Sequence, residues 1–80
     1  MKARVHVYLK PGVLDPQGQA VANSLKHLGF DEVGAARQGK LIEIDLNTAD
    51  AELAQKRVAE MCDKLLANPV IETYDIELSA

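Results

Sequence analysis

Hydrophobic and polar residues alternate at the start of the chain, which is the pattern of a strand with one buried face. Ala3, Val5, Val7 and Leu9 share one side of residues 3–10, and the other side is polar. We therefore predict a first strand over residues 3–10, with its small aliphatic side facing the core.

A helix with clear signals at both ends is predicted next. Asp15 is a typical N-cap residue, and proline is well tolerated at the first helical position, which Pro16 occupies. Gly29 follows the last apolar position, where a left-handed residue commonly ends a helix. The apolar residues that recur at helical spacing are Val21, Leu25 and Leu28.

The middle of the chain predicts a hairpin. Residues 32–38 give a weak strand, because Gly34, Ala35 and Ala36 offer little side-chain packing. Residues 41–46 alternate more clearly, and Gly39-Lys40 between the two segments is expected to form a tight turn.

A second helix and a last strand complete the pattern. Thr48 is the expected helix cap, and Asn68-Pro69 is expected to end the helix. Residues 70–78 alternate as a strand. The expected buried stripe of the second helix consists of Ala54, Val58, Met61 and Leu65, with Cys62 and Leu66 beside it.

The predicted order β-α-β-β-α-β indicates an α+β, ferredoxin-like domain over residues 1–80. Its sheet is expected to have four antiparallel strands, with both helices on one face. The other face would then be open, and because the core is small we expect that face to mediate self-association. The candidate residues for self-association are Arg4, His6, Tyr8, Leu41 and Glu43.

Composition narrows the function classes. Nine basic and twelve acidic residues give a net charge of −3, which disfavours nucleic-acid binding, as does the scarcity of aromatic residues. Cys62 is the single cysteine, and no apolar run has the length of a membrane span, so we expect a cytoplasmic chain. A domain of this size often needs oligomerisation for stability.

Catalytic and metal-binding patterns are scarce, so we predict no catalytic, cofactor or metal residues. His6 has no serine or cysteine partner nearby, and the mid-helix position of Cys62 is typical of a small core residue. No Cys-x-x-Cys or His-x-His spacing occurs. The constrained loop from Lys10 to Gly18 is either structural punctuation or a surface that another molecule recognises.

Several strings of this sequence resemble the PurS family. They are Lys10–Gly18 (KPGVLDPQG), Leu28–Phe30 (LGF), Gly39-Lys40, and Met61–Glu72, which includes LLANPVIE. The resemblance implies the small accessory subunit of phosphoribosylformylglycinamidine (FGAM) synthase. That ligase makes FGAM from formylglycinamide ribonucleotide, glutamine and ATP in the fourth step of purine biosynthesis.

The resemblance also implies partners. The chain would form a dimer or tetramer and bridge the glutaminase subunit and the large synthetase subunit, assisting ammonia transfer. The complex would use ATP and Mg, while this chain would bind no cofactor. The candidate partner-contact residues are Lys10, Pro11, Gly12, Asp15, Pro16, Gln17, Gly18, Asn68, Pro69 and Glu72.

Two other function classes share the predicted fold. A regulatory domain that binds a small ligand between paired subunits remains an alternative, and it predicts a saturable effect of that ligand on melting temperature. A stand-alone acylphosphatase would need an arginine in the loop from Lys10 to Gly18, and that loop has none.

Overall fold

A computed structural model describes all of residues 1–80 as an α+β fold. One helix lies between the first and second strands, and another lies between the second and third. The elements are β1 (Lys2–Leu9), α1 (Pro16–His27), β2 (Lys40–Asp45), α2 (Ala51–Met61) with a π-helical continuation (Cys62–Leu66), and β3 (Glu72–Ser79).

The three strands form one antiparallel sheet in the order β2-β1-β3. Val5 in the central strand lies opposite Ile42 and Ile76, so the apolar positions of all three strands share a face. The same register places Arg4 opposite Glu43 and Glu77 on the other face. The alternation predicted from the sequence is confirmed for each of these strands.

The predicted fourth strand is wrong. Residues 32–38 form no strand, and the sheet ends at β2. The Arg37 side chain donates to the Leu9 carbonyl oxygen, and the Gln38 N–H donates to Asp15. These bonds anchor Arg37 to the end of β1 and Gln38 to the residue that precedes α1. Residues 34–36 are glycine and alanine, whose side chains offer little packing for a strand beside β2.

The core lies between one face of the sheet and α2, and its residues are small. The largest fully buried side chains are Val5, Val7, Val58 and Cys62. Burial raises the pKa of the Cys62 thiol, as expected for a cysteine that packs as a hydrophobic residue. The predicted core role of Cys62 is confirmed.

The π-helical segment changes which leucine faces the core. Ala67 N–H bonds to the Cys62 carbonyl oxygen at 2.9 Å, an i→i+5 contact that inserts one extra residue into the turn. Leu66 consequently packs against the core, while Leu65 is 84% exposed. The buried stripe predicted with Leu65 is therefore wrong at its last position.

The capping of α2 also differs from the prediction. Asp50, and not Thr48, is the N-cap, because its carboxylate accepts from the Glu52 and Leu53 backbone N–H groups. Thr48 accepts from the Asp50 N–H one step earlier. Asp50 and Thr48 thus both accept backbone hydrogen bonds at this helix start, where the sequence predicted Thr48 as the cap.

Helix α1 has the predicted ends. Asp15 caps it, and Gly29 adopts a positive φ of 101°. Phe30 N–H bonds to Leu25 O and Gly29 N–H bonds to Lys26 O, which is the hydrogen-bond pattern of a Schellman motif.

Packing of α1 differs from the expectation that both helices cover the sheet. Only Gly18 and Ala22 of α1 are buried, and α2 is the helix that packs on the strands. The radius of gyration is 15.9 Å, against about 12 Å for a compact chain of this length. Helix α1 therefore leaves its apolar side largely in solvent.

We predict that the small buried side chains of α2 contribute substantially to the stability of the fold. Replacing fully buried Val58 with alanine should lower the free energy of unfolding by roughly 2 kcal/mol, since two methyl groups are lost and a cavity remains. Leu65→Ala removes more atoms from an exposed position, and should change stability by less than about 0.5 kcal/mol. Urea unfolding at one fixed protein concentration measures both. Equal losses would contradict this description of the core.

Candidate functional site

Three chain segments meet where β1 ends, and we call this region the loop end. It comprises residues 10–18, 36–40 and 68–72. The first and third segments contain the residues that the sequence assigned to partner contact. The second is the segment that leads into β2.

The first segment begins with a tight turn. Val13 N–H bonds to the Lys10 carbonyl oxygen at 3.1 Å, and Gly12 has a φ of 87°. Proline followed by a glycine of positive φ is the pattern of a type II turn, which Pro11 and Gly12 supply. The turn sends the chain away from the sheet toward α1.

Asp15 joins α1 to the second segment. One carboxylate oxygen accepts from Gly18 N–H and the other from Gln38 N–H, each at 2.9 Å. These donors, Gln38 first, lower the pKa of the Asp15 carboxyl. A Cβ at Gly18 would lie 2.4 Å from the Ala36 carbonyl oxygen, so this helix start needs glycine to approach the segment so closely.

The third segment is closed by its own side chains. Asn68 accepts from Val70 N–H at 3.1 Å, and its own N–H donates to the Glu72 carboxylate at 2.7 Å. Glu72 N–H returns to the Asn68 carbonyl oxygen at 2.7 Å. The result is a compact turn between the end of the π-helical segment and β3.

Lys10 brings the first and third segments together. Its backbone N–H bonds to Ile71 O at 2.9 Å, and its ammonium group donates to Pro69 O at 2.7 Å. The two strings that were predicted separately as partner contacts therefore form one surface.

The predicted partner-contact residues divide into two groups. Lys10, Asp15, Gly18, Asn68 and Glu72 build the loop end through its internal hydrogen bonds. The remaining predicted residues lie exposed on its surface: Pro11, Gly12, Pro16, Gln17 and Pro69.

Sequence reasoning missed other residues of the loop end. Val70 and Ile71 were assigned to the last strand, but that strand begins at Glu72, and both side chains are exposed, Val70 at 78%. Arg37 was assigned to a strand, yet its guanidinium lies 5.7 Å from the centre of the Tyr8 ring. The Ala-Ala-Arg-Gln-Gly string has no periodicity that could have revealed the position of Arg37 beside Tyr8.

The five residues predicted for self-association share the open face of the sheet. Arg4 and His6 lie opposite Glu43 and Leu41 across the β1–β2 pairing. Tyr8 donates to Asp75 at 2.7 Å on the same face, and this bond raises the pKa of its phenol. Leu41, at 53% exposure, is the large apolar side chain on this face.

Other chemistry is sparse in the structure. No three histidine, cysteine, aspartate or glutamate side chains come together in a way that could hold a metal ion. Neither helix has both the length and the apolar composition needed to cross a bilayer.

Comparison with known proteins identifies the family. A family model for PurS, described as phosphoribosylformylglycinamidine (FGAM) synthase, matches residues 2–80. The chain belongs to the PurS family. A relative from Synechocystis, the PurS subunit of that synthase, is 48% identical over 77 residues, which are 96% of this chain and 77% of the relative.

Solved structures agree with the PurS fold. Bacillus subtilis PurS superposes with a TM-score of 0.87 at 46% identity, covering 99% of this chain and 98% of that one. A chain of the Thermotoga maritima PurLQS structure superposes with a TM-score of 0.86 at 30% identity, covering 95% and 93%.

The Asp15 bonds predict a specific dependence of stability on pH. Because the pKa of Asp15 is lower in the folded chain than the unfolded value near 3.9, its carboxylate stabilises the fold above about pH 4. This contribution is lost as pH falls through the folded pKa. Asp15→Ala should melt at a lower temperature than the wild type at pH 6. Between pH 6 and pH 3, the melting temperature of Asp15→Ala should fall by less than that of the wild type.

The matched control is Asp31→Ala, which removes an exposed carboxylate that has no hydrogen bond in the structure. Its melting temperature should follow that of the wild type across the same pH range. Parallel curves for wild type and Asp15→Ala would contradict the role assigned to Asp15.

Proposed function

We propose that this chain is the small, non-catalytic subunit of FGAM synthase, and that it bridges the large synthetase subunit and the glutaminase subunit. The observation that carries the proposal is membership of the PurS family over residues 2–80. In this proposal the chain works in the cytoplasm and binds no cofactor, while the complex uses ATP and Mg to join ammonia from glutamine to formylglycinamide ribonucleotide.

The loop end is the surface we assign to the larger subunits. Its internal hydrogen bonds fix the backbone before a partner arrives, so little conformational entropy remains to be lost on binding. Its exposed side chains include prolines and the branched apolar residues Val70 and Ile71, which can be buried without breaking an internal bond. A rigid surface of this kind suits a bridging subunit.

Assistance with ammonia transfer would depend on excluding water. Neutral ammonia is the nucleophile, and a passage lined by water or acids would convert it to ammonium. A bridging chain can protect it by closing the contact between the two larger subunits, without supplying an acid or a base of its own.

Self-association is the second part of the proposal, and α1 is the surface that favours it. The chain exposes 5780 Å², about 1,000 Å² more than a compact protein of its mass. A standard interface buries about 800 Å² on each partner. Val21, Leu28 and Phe30 are exposed along α1 and its C-terminal loop, whereas the open sheet face is mostly charged.

We predict that Val70→Asp weakens assembly with the large synthetase and glutaminase subunits of the same organism at least about tenfold, because it places a charge in a contact. Its melting temperature should match that of the wild type, since Val70 is 78% exposed and its side chain contributes little packing. Leu65→Asp is the control, exposed away from the loop end. Affinity is measured with and without glutamine and ADP. Unchanged assembly of Val70→Asp would contradict the assigned surface.

Two lysine substitutions distinguish the self-association surfaces. Leu28→Lys on α1 should reduce the solution mass of the isolated chain to that of the monomer, because a desolvated charge would oppose the contact. Leu41→Lys on the open sheet face should leave the mass unchanged. Sedimentation measures both. The reverse result would assign the contact to the open face, as the sequence predicts, and would overturn the role proposed for α1.

A further inference from the structure

A shallow cavity of about 390 Å³ lies at the edge of the loop end, between β1 and the second segment of the loop end, which leads into β2. It is distinct from the exposed apolar residues of the loop end, and none of the contacts proposed for those residues uses it. The side chains and backbone that matter to its chemistry are those of His6, Tyr8, Arg37, Gln38, Gly39 and Lys40.

The walls of this cavity are held in place by the fold. A Cβ at Gly39 would lie 2.7 Å from the Val7 carbonyl oxygen, so the backbone at this position lies directly against β1. Arg37 donates to the Leu9 carbonyl oxygen and lies over the Tyr8 ring. Tyr8 is fixed in turn by its bond to Asp75.

The cavity is cationic, and no carboxylate lines it. The Arg37 guanidinium is held by its bond to the Leu9 carbonyl oxygen, and no carboxylate lies within 4.0 Å of it. Lys40 pairs with Glu72 only at 3.7 Å, and its side chain is 63% exposed. His6 lies at the edge, 3.9 Å from Glu77. The cavity therefore presents a guanidinium and an ammonium group whose charges are incompletely compensated.

We propose that this cavity receives the carboxylate of an aspartate or glutamate side chain from a partner subunit of the synthase. The planar fork of an arginine matches a carboxylate in two parallel hydrogen bonds, and Lys40 and Gln38 supply further donors. The inference rests on the proposed function, because it names the chemistry of one contact within that assembly.

The exposure of the cavity favours a protein partner over a free metabolite. Sites for small molecules typically enclose 70–90% or more of their ligand's surface. Arg37 and Lys40 are both exposed, so a free anion in this cavity would remain largely in water. A side chain on a docking surface does not need that enclosure, since the surrounding contact excludes water.

The test compares charge-matched variants in the assembly with the large synthetase and glutaminase subunits. Arg37→Gln with Lys40→Gln removes two positive charges from the cavity. Lys56→Gln with Lys64→Gln removes two from the exposed side of α2 and its continuation, where neither lysine has an ion pair. We expect the cavity variant to bind at least about tenfold more weakly, and to lose most of the wild-type dependence on salt between about 50 and 200 mM.

The control variant should bind within about twofold of the wild type, with its dependence on salt intact. Equal affinities for the two variants would overturn the inference. If the wild-type chain itself fails to assemble, the proposed function fails first, so the two failures are distinguishable.

Three further measurements keep the inference falsifiable. Arg37→Lys retains the charge without the fork, and should bind more weakly than the wild type even if Arg37→Gln folds poorly. Titration of the isolated chain with inorganic phosphate should show no saturation below about 1 mM, and tighter binding would indicate a free-anion site instead. A lower solution mass for the cavity variant alone would identify a second copy of this chain as the occupant.

Discussion

The constraint that shapes this molecule is the small volume of its core. One face of a three-stranded sheet packs against one helix, and nothing larger than valine or cysteine is fully buried among its side chains. Helix α2 packs mainly over β3, so the apolar side chains of β2, Ile42 and Ile44, are only partly buried, and α1 makes no comparable contact with the sheet. The exposure of α1, the excess accessible surface and the elongated dimensions of 48 × 27 × 14 Å are consequences of the same limit.

The loop end is ordered by different means. Its segments bury few apolar atoms, and backbone hydrogen bonds to Asp15, Asn68 and Glu72 hold them instead. Such bonds fix geometry more than they add net stability, because each replaces a bond to water. The region thus obtains a defined shape from polar side chains while its apolar ones stay exposed. In the bridging role proposed for this chain, those exposed side chains are the ones available for burial.

The sequence predicted most where local signals and periodicity agreed. The Asp15-Pro16 start and the Gly29 end of α1 were correct, as were the alternating faces of the three strands. The prediction failed where long-range bonds override local preference: residues 32–38 look extended, but Arg37 and Gln38 are held by Leu9 and Asp15. The π-helical turn is equally invisible to a count of helical spacing, which is why Leu65 was placed in the core.

The same limit applied to the candidate site. Motif strings located the Lys10–Gly18 loop and the Asn68–Glu72 turn, because turn and cap residues have recognisable chemistry. They could not show that Lys10 joins the two, nor that Asp15 accepts from Gln38 as well as capping α1. Those bonds join residues 59 and 23 positions apart, and no local pattern of residues reveals such a pairing.

Charge is distributed unevenly between the open face of the sheet and the loop end. The open face carries four carboxylates against Lys2 and Arg4, at Glu43, Asp45, Asp75 and Glu77. The loop end carries Lys10, Arg37 and Lys40 against Asp15 and Glu72. A chain with a net charge of −3 therefore presents a cationic patch beside an acidic face. Such polarity orients a protein during encounter and disfavours docking through the wrong face. In the assembly proposed for this chain, charge therefore selects the orientation of binding before apolar contacts add affinity.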